Sequence, residues 1–188
     1  MTMDAQSIAT ERMITAILLI SCGLVFTVGG IMFTGRAFAK WPAGQTPGFL
    51  RWERGFVVAG LLLNALGFTL LEGMLEAAGA PVIPRLALVT TLIAAAVLLV
   101  AEMTFLHNRE WVYSQIVLYV VLAFLAQAAF GAALLQTDLT PAWVGWATIL
   151  WNIVWLIVLA IASRGNMYFP VLHHVMPLVI GIALLAGR

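Results

Sequence analysis

From Met13 to Gly35 the chain carries no charged side chain. An α-helix of about 20 apolar residues crosses the hydrocarbon core of a bilayer, so this run is long enough to span one. Comparable runs follow at 55–76, 86–106, 112–136, 142–163 and 170–186. Backbone polar groups in lipid must be satisfied within their own segment, which makes such runs helices. None shows the strict polar–apolar alternation of a membrane β-strand. The sequence therefore predicts an all-α, polytopic integral membrane protein, a bundle of six transmembrane helices in one domain spanning residues 1–188.

Composition removes the soluble alternative. The chain is 63% hydrophobic and only 9% charged, whereas a soluble domain carries roughly 25% charged residues. A protein this small has too much surface to cover with so few charges. Its mean hydropathy of +1.06 points the same way. The lipid bilayer is the expected partner. A net charge of +1 without a basic stripe leaves no nucleic-acid partner. Cys22 is the only cysteine, which excludes an internal disulfide, a CxxC redox pair and a cysteine zinc cluster.

Between the runs, residues 1–12 read as a short polar tail. Residues 37–54 read as the longest loop, with Pro42, Gly44, Pro47 and Gly48 as breakers and Trp41 and Trp52 as interface anchors. Gly79-Ala80-Pro81 with Pro84, the stretch His107 to Glu110, Asp138 with Pro141, and Arg164-Gly165-Asn166 mark the other turns. Arg36, Lys40, Arg51, Arg54, Arg109 and Arg164 fall on one side, and Arg12, Arg85 and Arg188 on the other. That bias predicts cytoplasmic odd-numbered loops and extracytoplasmic termini. The compact, short-looped layout without a glycosylation acceptor points to a bacterial inner (plasma) membrane.

Two patterns invite over-reading. Leu19-Ile20-Ser21-Cys22 matches the motif before a lipid-modified cysteine. However, Glu11 offsets Arg12, and the chain stays apolar through Gly23-Leu24-Val25-Phe26. Asn64 and Asn152 occupy corresponding places in two three-helix halves, as an internal transporter repeat would require. Their flanks, Leu63-Asn64-Ala65 and Trp151-Asn152-Ile153, do not otherwise match, and chance accounts for them.

Ionisable groups inside a membrane are costly and so are candidate functional residues. The predicted topology collects Glu102, His107, His173 and His174 in one layer near the cytoplasmic side, with Tyr113, Ser114 and Gln115 at that level. Asn64, Gln127 and Asn152 lie deeper. A carboxylate facing imidazoles could hold a metal ion or relay protons. No metal-ligand spacing backs such a site, and adjacent His173 and His174 point about 100° apart on a helix. The structural alternative pairs Glu102 with Arg109 and leaves the histidines as interface anchors. Trp151 and Trp155 lie too deep for an interface belt and share a broad face with Asn152, as in the wall of a small-molecule pocket or a packed helix seam. Glu72 and Glu76 are expected at the headgroup level beside Arg85. Ala128, Ala129, Ala132 and Ala133 offer a small-residue stripe for packing within the bundle or for a homodimer.

Several chemistries lack their residues. There is no His-Glu-x-x-His motif, no Gly-x-Ser-x-Gly elbow and no phosphate-binding glycine loop. The only lysine, Lys40, is in a loop, so no retinal-type Schiff base fits, and no arginine-rich helix could sense voltage. The leading expectation is a non-catalytic protein that binds or carries a small apolar or amphipathic molecule. Its pocket lies between helices two, three, five and six, lined by Asn64, Glu102, Trp151, Asn152, Trp155 and His173 or His174. The alternatives are a membrane-embedded enzyme or redox protein holding a metal, haem or quinone through Glu102 and the histidines, or a subunit of a larger membrane complex. No catalytic residue and no cofactor is assigned.

Overall fold

The computed structural model describes residues 5–110, 112–162 and 170–187. Six α-helices occupy them: α1 (Ala5–Ala37), α2 (Pro47–Ala77), α3 (Val82–Asn108), α4 (Tyr113–Leu134), α5 (Ala142–Ala162) and α6 (Val175–Ala186). Short 3-10 turns at Pro42–Gln45 and Pro170–His174 precede α2 and α6. No strand occurs among the described residues. The first five helices are long and apolar enough to cross a membrane. Large apolar side chains such as Leu24, Leu62, Leu86, Met103, Leu150 and Ile161 face outward from the bundle. In water that surface would drive aggregation; in lipid it is the solvent-facing surface. The chain is a multi-pass helical bundle of an integral membrane protein.

Two helix starts differ from the sequence reading. α1 begins at Ala5, inside the expected polar tail. At 33 residues it is about 50 Å long, so it outreaches the hydrocarbon core. Arg12, on this added length, donates from Nε to the Leu184 carbonyl at 2.7 Å and from Nη2 to the Leu139 carbonyl at 3.3 Å. It thus satisfies a carbonyl left open at the C-terminal end of α6. α2 begins at Pro47, inside the expected loop. Thr46 caps it by accepting from the Phe49 N–H, and Pro47 takes the first helical position, where a missing N–H costs nothing. Glu53 and Arg54 therefore belong to a helix and are buried.

The helices close into a ring. Each packs on its sequence neighbour, and α6 returns to α1. The crossings are close because glycines stand at them. A Cβ on Gly131 of α4 would lie 2.8 Å from the Gly145 carbonyl of α5, and one on Gly181 of α6 would lie 2.8 Å from the Ala16 carbonyl of α1. Most turns fall where breakers were expected, although the break at Arg164-Gly165-Asn166 lies outside the described residues. Arg109 closes α3 in the left-handed conformation, with φ of 63°.

The sixth element departs most from expectation. Its helix has 12 residues, about 18 Å, roughly half a crossing. Pro177 supplies the reason. It stands in the first turn of α6, has no N–H to give the His173 carbonyl four residues back, and its ring crowds that carbonyl, so a regular α-helical turn before Val175 is disfavoured. The chain instead makes the 3-10 turn at Pro170–His174 and enters α6 only at Val175.

Candidate functional site

The 3-10 turn that leads into α6 inside the bundle leaves carbonyls that must find donors, because lipid offers none. Two side chains from other helices supply them. Gln127 Nε2 of α4 donates to the His173 carbonyl at 2.6 Å, and Trp151 Nε1 of α5 donates to the Leu172 carbonyl at 2.9 Å. Trp155 packs edge-on against Trp151 with ring centroids 5.8 Å apart. The deep tryptophans that looked like a pocket wall thus bear on the turn itself.

The turn lies in a polar layer between two apolar clusters. One cluster includes Phe26, Leu61, Leu98, Val120, Phe124 and Leu159; the other includes Leu19, Phe68, Leu71, Phe130, Val144 and Ile180. Helices α2 to α5 and the 3-10 turn before α6 each contribute buried polar side chains there, Asn64, Thr91, Gln127, Asn152 and the His173–His174 pair, and Cys22 of α1 borders them from the first cluster. His174 stacks on Phe26, and its Nδ1 lies 3.2 Å from the Cys22 thiol, which also lies 3.6 Å from Asn64 Oδ1. His173 faces Tyr119 and Phe124, with ring centroids 5.2 and 4.2 Å away.

This layer is incompletely satisfied. Both ring nitrogens of His173, Nε2 of His174, Oε1 of Gln127 and Oδ1 of Asn152 are buried without a hydrogen-bond partner among the described residues. The Asn152 amide nitrogen is used, donating to the Thr148 carbonyl at 2.7 Å. A small cavity of about 10 Å³ lies beside the turn, lined by Asn64, Thr91, Tyr119 and Gln127 among others. It has room for about one water, which would find several polar partners there.

Glu102 belongs to a second constellation, nearer the α3–α4 connection. Arg36 donates to Glu53 through Nε at 2.6 Å and Nη2 at 2.9 Å. Glu53 pairs in turn with Arg54, and Arg54 Nη1 reaches Glu102 at 3.2 Å. The ladder alternates in sign and ties α1, α2 and α3 together. Glu53, Arg54 and Glu102 are fully buried. The Arg54 guanidinium also lies over the Phe33 and Phe105 rings, at 5.7 and 5.1 Å from their centroids. The partner of Glu102 is therefore Arg54 from α2, where the sequence suggested Arg109.

The layer expected to unite Glu102 with three histidines is arranged differently. His107 is exposed in the last turn of α3, Glu102 sits in the ion ladder, and His173 and His174 belong to the 3-10 turn before α6. Among the described residues no group of three or more His, Cys, Asp or Glu side chains gathers as a metal-holding set. Asn64, Asn152, Trp151, Trp155, His173 and His174 all lie on or beside that turn. Sequence reasoning missed Pro177, Cys22, Tyr119 and Thr91 as its companions, and missed Glu53 and Arg54 as partners of Glu102. A proline four residues after a histidine in an apolar run was the available signal for the turn.

The fold and the site define a class: a polytopic α-helical membrane protein with a short sixth helix entered through a 3-10 turn, and a buried polar layer beside that turn. No family model matches the sequence, and no match was found among curated proteins or solved structures.

Proposed function

We propose that the protein binds and carries a small amphipathic molecule whose polar end seats in the layer around the 3-10 turn before α6. One observation carries this reading: His173 is fully buried, and neither of its ring nitrogens has a partner among the described residues. An unsatisfied buried polar group costs about 1–3 kcal/mol. A neutral imidazole offers one donor and one acceptor, while Gln127 Oε1 and Asn152 Oδ1 offer acceptors. A head group that both donates and accepts, such as a hydroxyl or a carboxylic acid, matches this set. Interrupted helices and unwound backbone are characteristic of substrate sites in membrane transporters. The cavity there has room for about one water, so an apolar tail requires the packed layer to open, and Phe26, Phe124, Trp151 and Trp155 are the apolar side chains it would then meet.

The same reading sets the protein in a bacterial inner membrane, with the α1–α2 and α3–α4 connections on the cytoplasmic side. Arg36, Lys40, Arg51 and Arg109 near these connections support that orientation.

The test is ligand-induced thermal stabilisation of detergent-purified protein with decanol, decanoic acid and farnesol, wild type beside His173→Ala. A ligand that binds the folded state raises the melting temperature by mass action. At least one probe is expected to stabilise the wild type and to lose that effect in the variant. Equal shifts in both proteins, or none in either, would remove the proposal. Metal content and visible absorption measured on the same samples discriminate the redox alternative, which requires a stoichiometric metal or chromophore.

A further inference from the structure

At the end of the bundle that carries the α1–α2 and α3–α4 connections, a groove of about 300 Å³ opens between the last turn of α1, the first turn of α2 and the end of α3. Arg36, Gly44, Thr46, Pro47, Leu50 and Arg109 line it. The two guanidiniums differ in their engagement. Arg36 is committed to Glu53 through two hydrogen bonds. Arg109 makes no ion pair or hydrogen bond from its side chain to any described residue, and its left-handed backbone sets it at the rim. The groove thus holds one guanidinium committed to a carboxylate and one with no ion-pair partner among the described residues, together with apolar Pro47 and Leu50.

The surroundings fix the depth of the groove. Trp41 and Trp52, both exposed, belong to the elements that border it, and Tyr113 opens the next helix. Exposed aromatic side chains of this kind mark the level of the lipid headgroups. An anionic phosphate at that level meets a guanidinium with five donors in a planar fork. Acyl chains descending from it would lie on the outward apolar faces of the helices.

We propose that this groove is a binding site for the phosphate of an anionic phospholipid, held by Arg109 with Arg36 as second cation. Thr46 adds no free donor, because its hydroxyl donates to the Ala43 carbonyl and accepts from the Phe49 N–H. Recognition is therefore of charge and fork geometry. Arg36 is also the outermost rung of the buried ladder, so a phosphate that draws on it competes with Glu53. Lipid bound here is coupled to the packing of α1, α2 and α3.

The experiment measures thermal stability of the purified protein after addition of dioleoyl-phosphatidylglycerol, dioleoyl-phosphatidylcholine or inorganic phosphate. Wild type is compared with Arg109→Gln and with Arg85→Gln, which alters an exposed cation in the first turn of α3, at the opposite end of that helix. Phosphatidylglycerol is expected to stabilise the wild type more than phosphatidylcholine, with an apparent affinity that falls about fivefold in Arg109→Gln and is unchanged in Arg85→Gln. Both substitutions lie at exposed positions outside the ladder, so the folded protein remains available for measurement. Equal responses to the two lipids, or equal losses in the two variants, would overturn the proposal. Stabilisation by inorganic phosphate alone at the same concentration would assign the groove to a free anion and overturn the lipid assignment.

Discussion

Arg54 shows how a single residue can be costly alone and stabilising in company. A guanidinium with no exposure in a lipid-embedded bundle would be strongly disfavoured by itself. Its position between Glu53 and Glu102 supplies opposite charge on both sides. Replacing Glu102 by Gln leaves that cation partly uncompensated, and the expected loss is about 3 kcal/mol of stability in thermal or denaturant unfolding. The double variant Arg54→Met/Glu102→Leu removes both charges and should recover most of that loss. A double variant no more stable than Glu102→Gln alone would show that the pair is not coupled. His173 behaves differently, because its deficit is a missing partner. His173→Phe should therefore leave stability within about 1 kcal/mol of wild type, or raise it, while abolishing ligand response.

At the scale of the element, α6 is where sequence and structure part. The long helices were legible because a charge-free run of sufficient length forms a membrane helix whatever packs beside it. The turns at Gly79-Ala80-Pro81 and Pro141 were legible because Gly and Pro act locally. The 3-10 entry before Val175 was not, since it depends on Gln127 and Trp151 arriving from α4 and α5 to donate to the carbonyls of His173 and Leu172. Glu102 was recognised as exceptional, but its partner was hidden because Pro47 and Gly48 read as loop breakers when they begin α2. Replacing Pro177 by Ala should extend the helix toward Pro170, since the missing N–H is restored. Circular dichroism should record a gain of helix, and ligand response should fall as His173 is drawn back into a regular turn. Close crossings invite a further test. Gly131→Leu should destabilise the α4–α5 pair by about 1–3 kcal/mol, whereas Gly48→Ala, with nothing within 4 Å of an added Cβ, should be tolerated.

For the whole molecule, Cys22 offers a native reporter. It is the only cysteine, it is fully buried, and it borders the polar layer beside His174. In the folded protein it should react with N-ethylmaleimide far more slowly than in detergent-denatured protein, as read by mass spectrometry. Rapid labelling of the native protein would contradict the closed ring. A ligand that opens the layer should raise the rate, and one that fills it should lower the rate further.

The contact between α1 and α6 also constrains how the protein is made. The ribosome releases α1 well before α6, yet Gly181 fits against Ala16, and Arg12 holds the far end of α6. Until α6 emerges, the strip of α1 around Ala16 that meets it has no permanent cover, although α2 already packs on another face of α1. The insertion machinery must shelter that strip while α2 through α5 emerge, and the native state is sealed in a single late step. Nascent chains halted after α5 are therefore the species that quality-control proteases in the membrane would meet as unfinished.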